Sequence, residues 1–208
     1  MSRCVIVGGA KIENYAVVKQ YISDKDFFIF CDSGLSHQSH LGRTPNLIVG
    51  DFDSFKMPDE STETIVLPRE KDDTDTFFAV KEAVSRGFSE FLFIGVCGGR
   101  LDHTLGNLSI LLYLNKNGCR GTIVDDYSEI ELVGKDEKEI ACTFPYFSVL
   151  NITGKASGIT IKNAKFPLRN ATISCDYQYG ISNEPLPDKS ASVSVSEGCA
   201  LLIKVRNE

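Results

Sequence analysis

At 208 residues the chain can form one ordinary domain or two small ones with a real core, and 42% hydrophobic with 24% charged residues is the composition of a soluble globular protein. The net charge of −6 is uneven: residues 1–139 carry 15 Lys/Arg against 23 Asp/Glu, residues 140–208 carry 7 against 5, and an acidic first part lacks the clustered cations that nucleic acid needs. No stretch approaches a membrane span, the apolar run at 4–7 is too short for a signal peptide, and seven scattered cysteines without a Cys-x-x-Cys pair predict reduced thiols and a cytoplasmic location.

In chain order, β-branched and apolar runs predict strands over 4–7, 27–31, 47–49, 64–67 and 91–94. Helical spacing of apolar residues predicts helices over 13–22, 73–86 and 104–117, the last two stopped by Gly87 and Gly118. Strands alternating with helices imply an α/β domain with a mostly parallel sheet and helices on both faces. After Gly121 the pattern changes to short strands over 122–124, 129–133, 139–143, 148–152, 158–161, 171–176, 192–195 and 201–205, separated by turn residues. That spacing predicts a C-terminal all-β sandwich, giving domains 1–124 and 125–208.

The polar residues that draw attention fall just after predicted strands, where open α/β sheets bind ligands. Asp32 with Ser33 and Gly34 follows the second strand; Asp51 and Asp53, in Gly50-Asp51-Phe52-Asp53-Ser54, follow the third. Carboxylates spaced i, i+2 on extended backbone project from one side and suit a hard divalent cation such as Mg²⁺; an Asp-x-Asp turn is the plainer reading. Asp72-Asp73-Thr74-Asp75 opens a predicted helix, either as capping residues or with Asp72 and Asp75 sharing a face toward a metal or phosphate.

Gly98-Gly99-Arg100-Leu101-Asp102-His103 combines two glycines that let backbone approach a ligand with an arginine fork suited to phosphate oxygens. Asp102 could orient a hydroxyl or simply pair with Arg100, and His103 is equally an ordinary helix-start residue. The P-loop pattern, the Gly-x-Gly dinucleotide fingerprint and His-Glu-x-x-His are all absent. Carboxylates plus arginine, with no nucleophile paired to a base, fit metal-assisted phosphoryl-type transfer.

The ordered set Asp32-Ser33-Gly34, Gly50-Asp51-Phe52-Asp53-Ser54, Asp72-Asp73-Thr74-Asp75, Gly98-Gly99-Arg100-Leu101-Asp102-His103 with Asn107, and Ser182-Asn183-Glu184 resembles the thiamine pyrophosphokinase family over nearly the whole chain. The resemblance implies transfer of pyrophosphate from ATP to the hydroxyethyl arm of thiamine, giving thiamine diphosphate and AMP. It also implies a homodimer whose thiamine site is shared between subunits. By position, Asp51, Asp53 and Asp75 look like the family's Mg²⁺ ligands, and with Arg100 and Asp102 they form its catalytic set. Asp32, Ser33, Gly34, Asp72, Thr74, Gly98, Gly99, Arg100 and His103 look like ATP contacts; Ser182, Asn183 and Asp102 look like thiamine contacts. The tryptophan that some members place after the Ser-Asn pair is missing here; Tyr177 or Tyr179 could supply the stacking face, and both read equally as ordinary strand aromatics. Two other readings remain open: a Mg²⁺-dependent pyrophosphokinase or phosphohydrolase for another small alcohol, and a non-catalytic thiamine or nucleotide sensor.

Overall fold

A computed structural model describes residues 3–52, 62–70 and 72–206, which fall into two compact units, Met1–Asp126 and Tyr127–Glu208. In the first unit, strands β1 (Cys4–Val7), β2 (Phe27–Cys31), β3 (Leu47–Gly50), β4 (Thr64–Val66), β5 (Glu90–Ile94) and β6 (Arg120–Val124) pair in parallel in the order β4-β3-β2-β1-β5-β6. Every residue of β1 is fully buried, as expected of a central strand covered on both faces. Val5, Val7, Phe28, Phe30, Leu92 and Ile94 pack on one face with Val18 of helix α1 (Tyr15–Lys19) and Leu41 of α2 (Gln38–Leu41). Across the sheet, α3 (Asp75–Ser85) packs on β1, β2 and β3, and α4 (Leu101–Lys116) packs on β6. Gly121 leaves room there for Leu111 and Leu114, whose methyls would stand 2.8 and 2.7 Å from any Cβ added to it.

The second unit is two antiparallel sheets. β7 (Ser128–Val133), β13 (Ala200–Val205) and β9 (Tyr146–Leu150) form one, with β13 central; β11 (Leu168–Ser174), β10 (Lys155–Lys162), β12 (Ala191–Ser194) and β8 (Lys138–Ile140) form the other. Phe147, Val149, Ile159, Ile161, Ile173, Val193 and Leu202 fill the space between them. Alternation along β13 puts Ala200, Leu202 and Lys204 on the same side. Lys204 is nevertheless buried, because Glu129 and Glu131 lie opposite it: its ammonium is 2.5 Å from Glu129 Oε1 and 2.8 Å from Glu131 Oε1. Lys138 of β8 closes on Glu131 Oε2 at 2.6 Å, so one balanced ionic knot ties the two sheets together.

The elements differ from expectation in instructive places. The helix expected over 13–22 contracts to five residues because Asn14 Oδ1 accepts from Ala16 N at 3.1 Å and fixes a late start. Residues 32–41, to which the sequence pattern assigns no element, form a 3-10 turn (Asp32–His37) running into α2. α4 begins at Leu101, three residues early, so Asp102 and His103 belong to its first turn rather than to a preceding loop. In the sandwich the strand expected over 139–143 ends at Ile140, where a turn closed by Phe144 N and Ala141 O takes over.

Candidate active site

The strand order turns at β1: β2 to β4 are laid down on one side and β5 and β6 on the other. Open α/β sheets bind ligands outside the carboxyl ends of strands at such a point. A cleft of about 390 Å³ lies there, lined by Gly8–Lys11 after β1, Ser33 after β2, Thr76 of α3, and Gly95, Val96, Gly98, Gly99, Arg100, His103 and Asn107 after β5. The β1 and β5 ends interlock through their backbones. A Cβ on Gly8 would stand 2.6 Å from Gly95 O, and one on Gly95 would stand 2.5 Å from Gly8 O. Ala10 N donates to Gly95 O at 2.8 Å, and Asn107 Nδ2 donates to Val96 O at 2.7 Å, fixing the loop from both sides.

Beside the cleft, Asp32, Asp51 and Asp75 converge so that one oxygen from each lies within 4.8 Å of the others. Three turns bring them together. Asp32 takes a positive φ of 38° as β2 enters its 3-10 turn, and Phe52, next to Asp51, has a φ of 53°. Non-glycine residues in that region carry strain that the surrounding fold must hold, and such residues cluster at functional sites. Gly50 allows the approach, since a Cβ there would meet Asp32 Cβ at 3.0 Å. Asp75 opens α3, capped by Thr74 Oγ1 accepting from Phe77 N at 3.2 Å. Oδ1 of both Asp32 and Asp75 is withdrawn from solvent. Oxygens sharing an octahedral Mg²⁺ at 2.0–2.1 Å lie up to about 4.2 Å apart, so small side-chain movements would seat this all-oxygen set on one ion.

The expected ligand set was Asp51, Asp53 and Asp75. Asp53 lies outside the described residues, and Asp32, expected at the nucleotide, completes the trio in the structure. Asp72 precedes the cap and is exposed, so it shares no helix face with Asp75, while Asp73 pairs with Lys81. Thr74 is spent on capping and Gly34 is buried, a Cβ on it meeting Val7 O at 2.3 Å; Ser33 lines the cleft.

Arg100 and Asp102 pair bidentately, Nε to Oδ1 at 3.2 Å and Nη2 to Oδ2 at 2.6 Å, with both side chains exposed. The guanidinium holds the Asp102 carboxyl down to about 2. Gly98 N donates to Thr104 Oγ1 at 3.1 Å, anchoring the glycine pair to α4. Cys97, in the same loop, has its thiol pushed up to about 12 by burial and by Asp125, and is no nucleophile.

In the second unit, Ser182 is exposed at a φ of 55°, its N–H donating to Ser148 Oγ at 3.0 Å. Asn183 beside it is buried: Oδ1 accepts from Phe166 N and Glu184 N, and Nδ2 donates to Phe166 O. Its amide is engaged in holding backbone. Tyr177 and Tyr179 are exposed with ring centroids 5.3 Å apart.

Sequence reasoning missed Gly8, Gly9, Ala10, Lys11, Thr76, Gly95 and Val96 as cleft residues. The signal was present in Gly8-Gly9 directly after the first strand; without a Gly-x-Gly pattern it reads as an ordinary strand stop.

A family model described as "Thiamin pyrophosphokinase, catalytic domain" matches residues 18–123, and one described as "Thiamin pyrophosphokinase, vitamin B1 binding domain" matches residues 131–200. The chain is similar to the thiamine pyrophosphokinase of Bacillus subtilis, 25% identical over 197 residues that cover 88% of this chain and 89% of that one. The crystal structure of a Bacillus subtilis thiamine pyrophosphokinase shares the fold with a TM-score of 0.87 at 23% identity, each chain covered in full. A Geobacillus thermodenitrificans thiamin pyrophosphokinase structure gives 0.82 at 27% identity, with 99% of this chain and 98% of that one covered. With the catalytic model alone spanning half of its length and the vitamin-binding model following it, the chain belongs to the thiamin pyrophosphokinase family.

Proposed function

We propose that the protein is an ATP:thiamine diphosphotransferase. The observation that carries this reading is the carboxylate trio Asp32, Asp51 and Asp75 beside a glycine-lined cleft at the turning point of the sheet. The thiamine hydroxyl oxygen attacks the β-phosphorus, the bond from that phosphorus to the α,β-bridging oxygen breaks, AMP leaves, and the hydroxyl proton passes to solvent. Asp32, Asp51 and Asp75 would hold Mg²⁺, which when bound supplies charge neutralisation for the phosphate chain. The Gly99 N–H and the Arg100 guanidinium would grip phosphate oxygens, with His103 beside them and Gly98 held in place by its bond to Thr104. Asp102, ionised and held low by Arg100, is a poor base; its role is to orient Arg100 and the incoming hydroxyl.

On the thiamine side, Ser182 makes the contact and Asn183 positions it, fixing the turn through Phe166 and Glu184. The exposed Tyr177–Tyr179 pair offers aromatic faces to a thiazolium cation. Homodimerisation and a cytoplasmic location belong to the same proposal; all seven cysteines are free, and among the described residues no helix is long and apolar enough to cross a membrane.

Purified protein incubated with thiamine, ATP and Mg²⁺ should yield equal amounts of AMP and thiamine diphosphate. AMP formation with another alcohol but not with thiamine would move the substrate; thiamine bound tightly in calorimetry without turnover would make the protein a sensor. Sedimentation equilibrium should give twice the chain mass.

A further inference from the structure

We infer that Lys11 is a second phosphate-gripping cation of the nucleotide cleft, reaching the polyphosphate from the β1 side as Arg100 does from the β5 side. The inference rests on the reading of the cleft as an ATP site. The chain as a whole is acidic, yet the cationic side chains lining this cleft are Lys11 and Arg100, with His103 beside them, and among the described residues no carboxylate lines it. A concave surface with that selection of charge recruits an anion.

The backbone on either side of Lys11 is pinned. Ala10 N donates to Gly95 O at 2.8 Å, and Ala10 O accepts from His37 Nε2 at 3.0 Å. A carbonyl can only accept, so His37 carries its proton on Nε2 and takes the Tyr15 hydroxyl at Nδ1, 2.7 Å away. Two residues beyond Lys11, both oxygens of Asp126 accept backbone N–H groups, those of Glu13 and Asn14, at 2.8 Å each. Lys11 therefore leaves a rigid stretch at the cleft's edge, and such pinning lowers the ordering cost of binding.

The Lys11 ammonium lies 2.7 Å from Glu13 Oε1, both side chains largely in water. An exposed pair of this kind holds its partners weakly. Exchange of the Glu13 carboxylate for a phosphate oxygen of higher charge is then favourable, and Glu13 acts as a resting partner that competes with the nucleotide.

Calorimetry of Mg²⁺-ATP binding without thiamine tests this, alongside steady-state kinetics. Lys11→Ala should raise the Kd and KM for ATP about tenfold, the loss of one charge-assisted hydrogen bond, with the thiamine KM unmoved. Inhibition by inorganic tripolyphosphate should weaken by the same factor while inhibition by adenosine stays level. Lys11→Arg should restore most of the affinity. Glu13→Gln should tighten ATP binding severalfold, and that gain should vanish in the Lys11→Ala background. ATP affinity within twofold of wild type in Lys11→Ala, with an unchanged circular dichroism spectrum, overturns the inference. A wild-type protein that binds ATP but leaves thiamine untouched overturns the diphosphotransferase reading and leaves this one standing.

Discussion

Among the described residues, each unit brings carboxylates together, and the two gatherings are built to opposite ends. In the sandwich, Glu129 and Glu131 meet Lys204 and Lys138, so the charges balance within the protein and stitch sheet to sheet. In the α/β unit, Asp32, Asp51 and Asp75 bring carboxylate oxygens within 4.8 Å of one another, with positive φ at Asp32 and at Phe52 beside Asp51. Gathered carboxylate oxygens attract a cation, which is the reading proposed above for this trio, whereas the charges of the sandwich are matched by the protein's own lysines.

The sharpest way to break the comparison is to remove one charge from each. Asp51→Asn should lower turnover about 10²–10³-fold, the scale of a lost transition-state electrostatic contact, while the melting temperature measured without Mg²⁺ holds or rises because repulsion is relieved. A fall in melting temperature matching the fall in activity would make the trio a structural feature after all. Mg²⁺ at 100 times its dissociation constant should stabilise the wild type by about 2.7 kcal/mol, and Asp51→Asn should lose that increment in a thermal-shift assay.

Lys204→Ala should do the reverse, costing about 3–5 kcal/mol of unfolding free energy by taking the ammonium away from the buried Glu131 and the half-buried Glu129. Lys204→Met keeps most of the packing but removes the same charge, so it should cost nearly as much on the same urea curves; a far smaller cost would mean that Lys204 contributes packing rather than charge.

Acid sharpens the contrast further. Burial pushes the Glu131 carboxyl up, but the Lys138 and Lys204 ammonium groups outweigh it and hold it below the usual 4.5. A carboxylate lowered in the folded state stabilises above its unfolded value, and that stability is lost as pH falls through the folded value. Urea midpoints should therefore drop below about pH 4.5. In Glu131→Gln that part of the slope should be gone. The smallest stability effect belongs to Asp102→Asn. Its pair with Arg100 is exposed, so the melting temperature should not move while turnover falls as Arg100 loses its orienting partner.

Much of this was legible in the chain. The five strands expected in the first part, and the carboxylates at their ends, follow from runs such as Cys4–Val7 that end in polar or glycine turns. What sequence could not convey was convergence. Asp32 and Asp75 are 43 positions apart, and only the parallel pairing of β2 beside β3, with α3 across them, makes both neighbours of Asp51. Asn183 is a second case: nothing in the turn's sequence tells that its amide grips the backbone of Phe166 and Glu184. The start of α4 at Leu101 was hidden because Arg100 caps it without any side-chain hydrogen bond, so the usual Ser, Thr or Asp signal is missing.

The reciprocal contact of Gly8 and Gly95 restricts how this chain can drift. Each residue's absent methyl is the space that the other's carbonyl oxygen fills. A one-step replacement at either position must push the opposing loop aside, and a change at the second offers no relief, because the obstacle is main chain. Lineages descending from this sequence are expected to vary almost anywhere around the cleft's mouth before they vary at its hinge-pin.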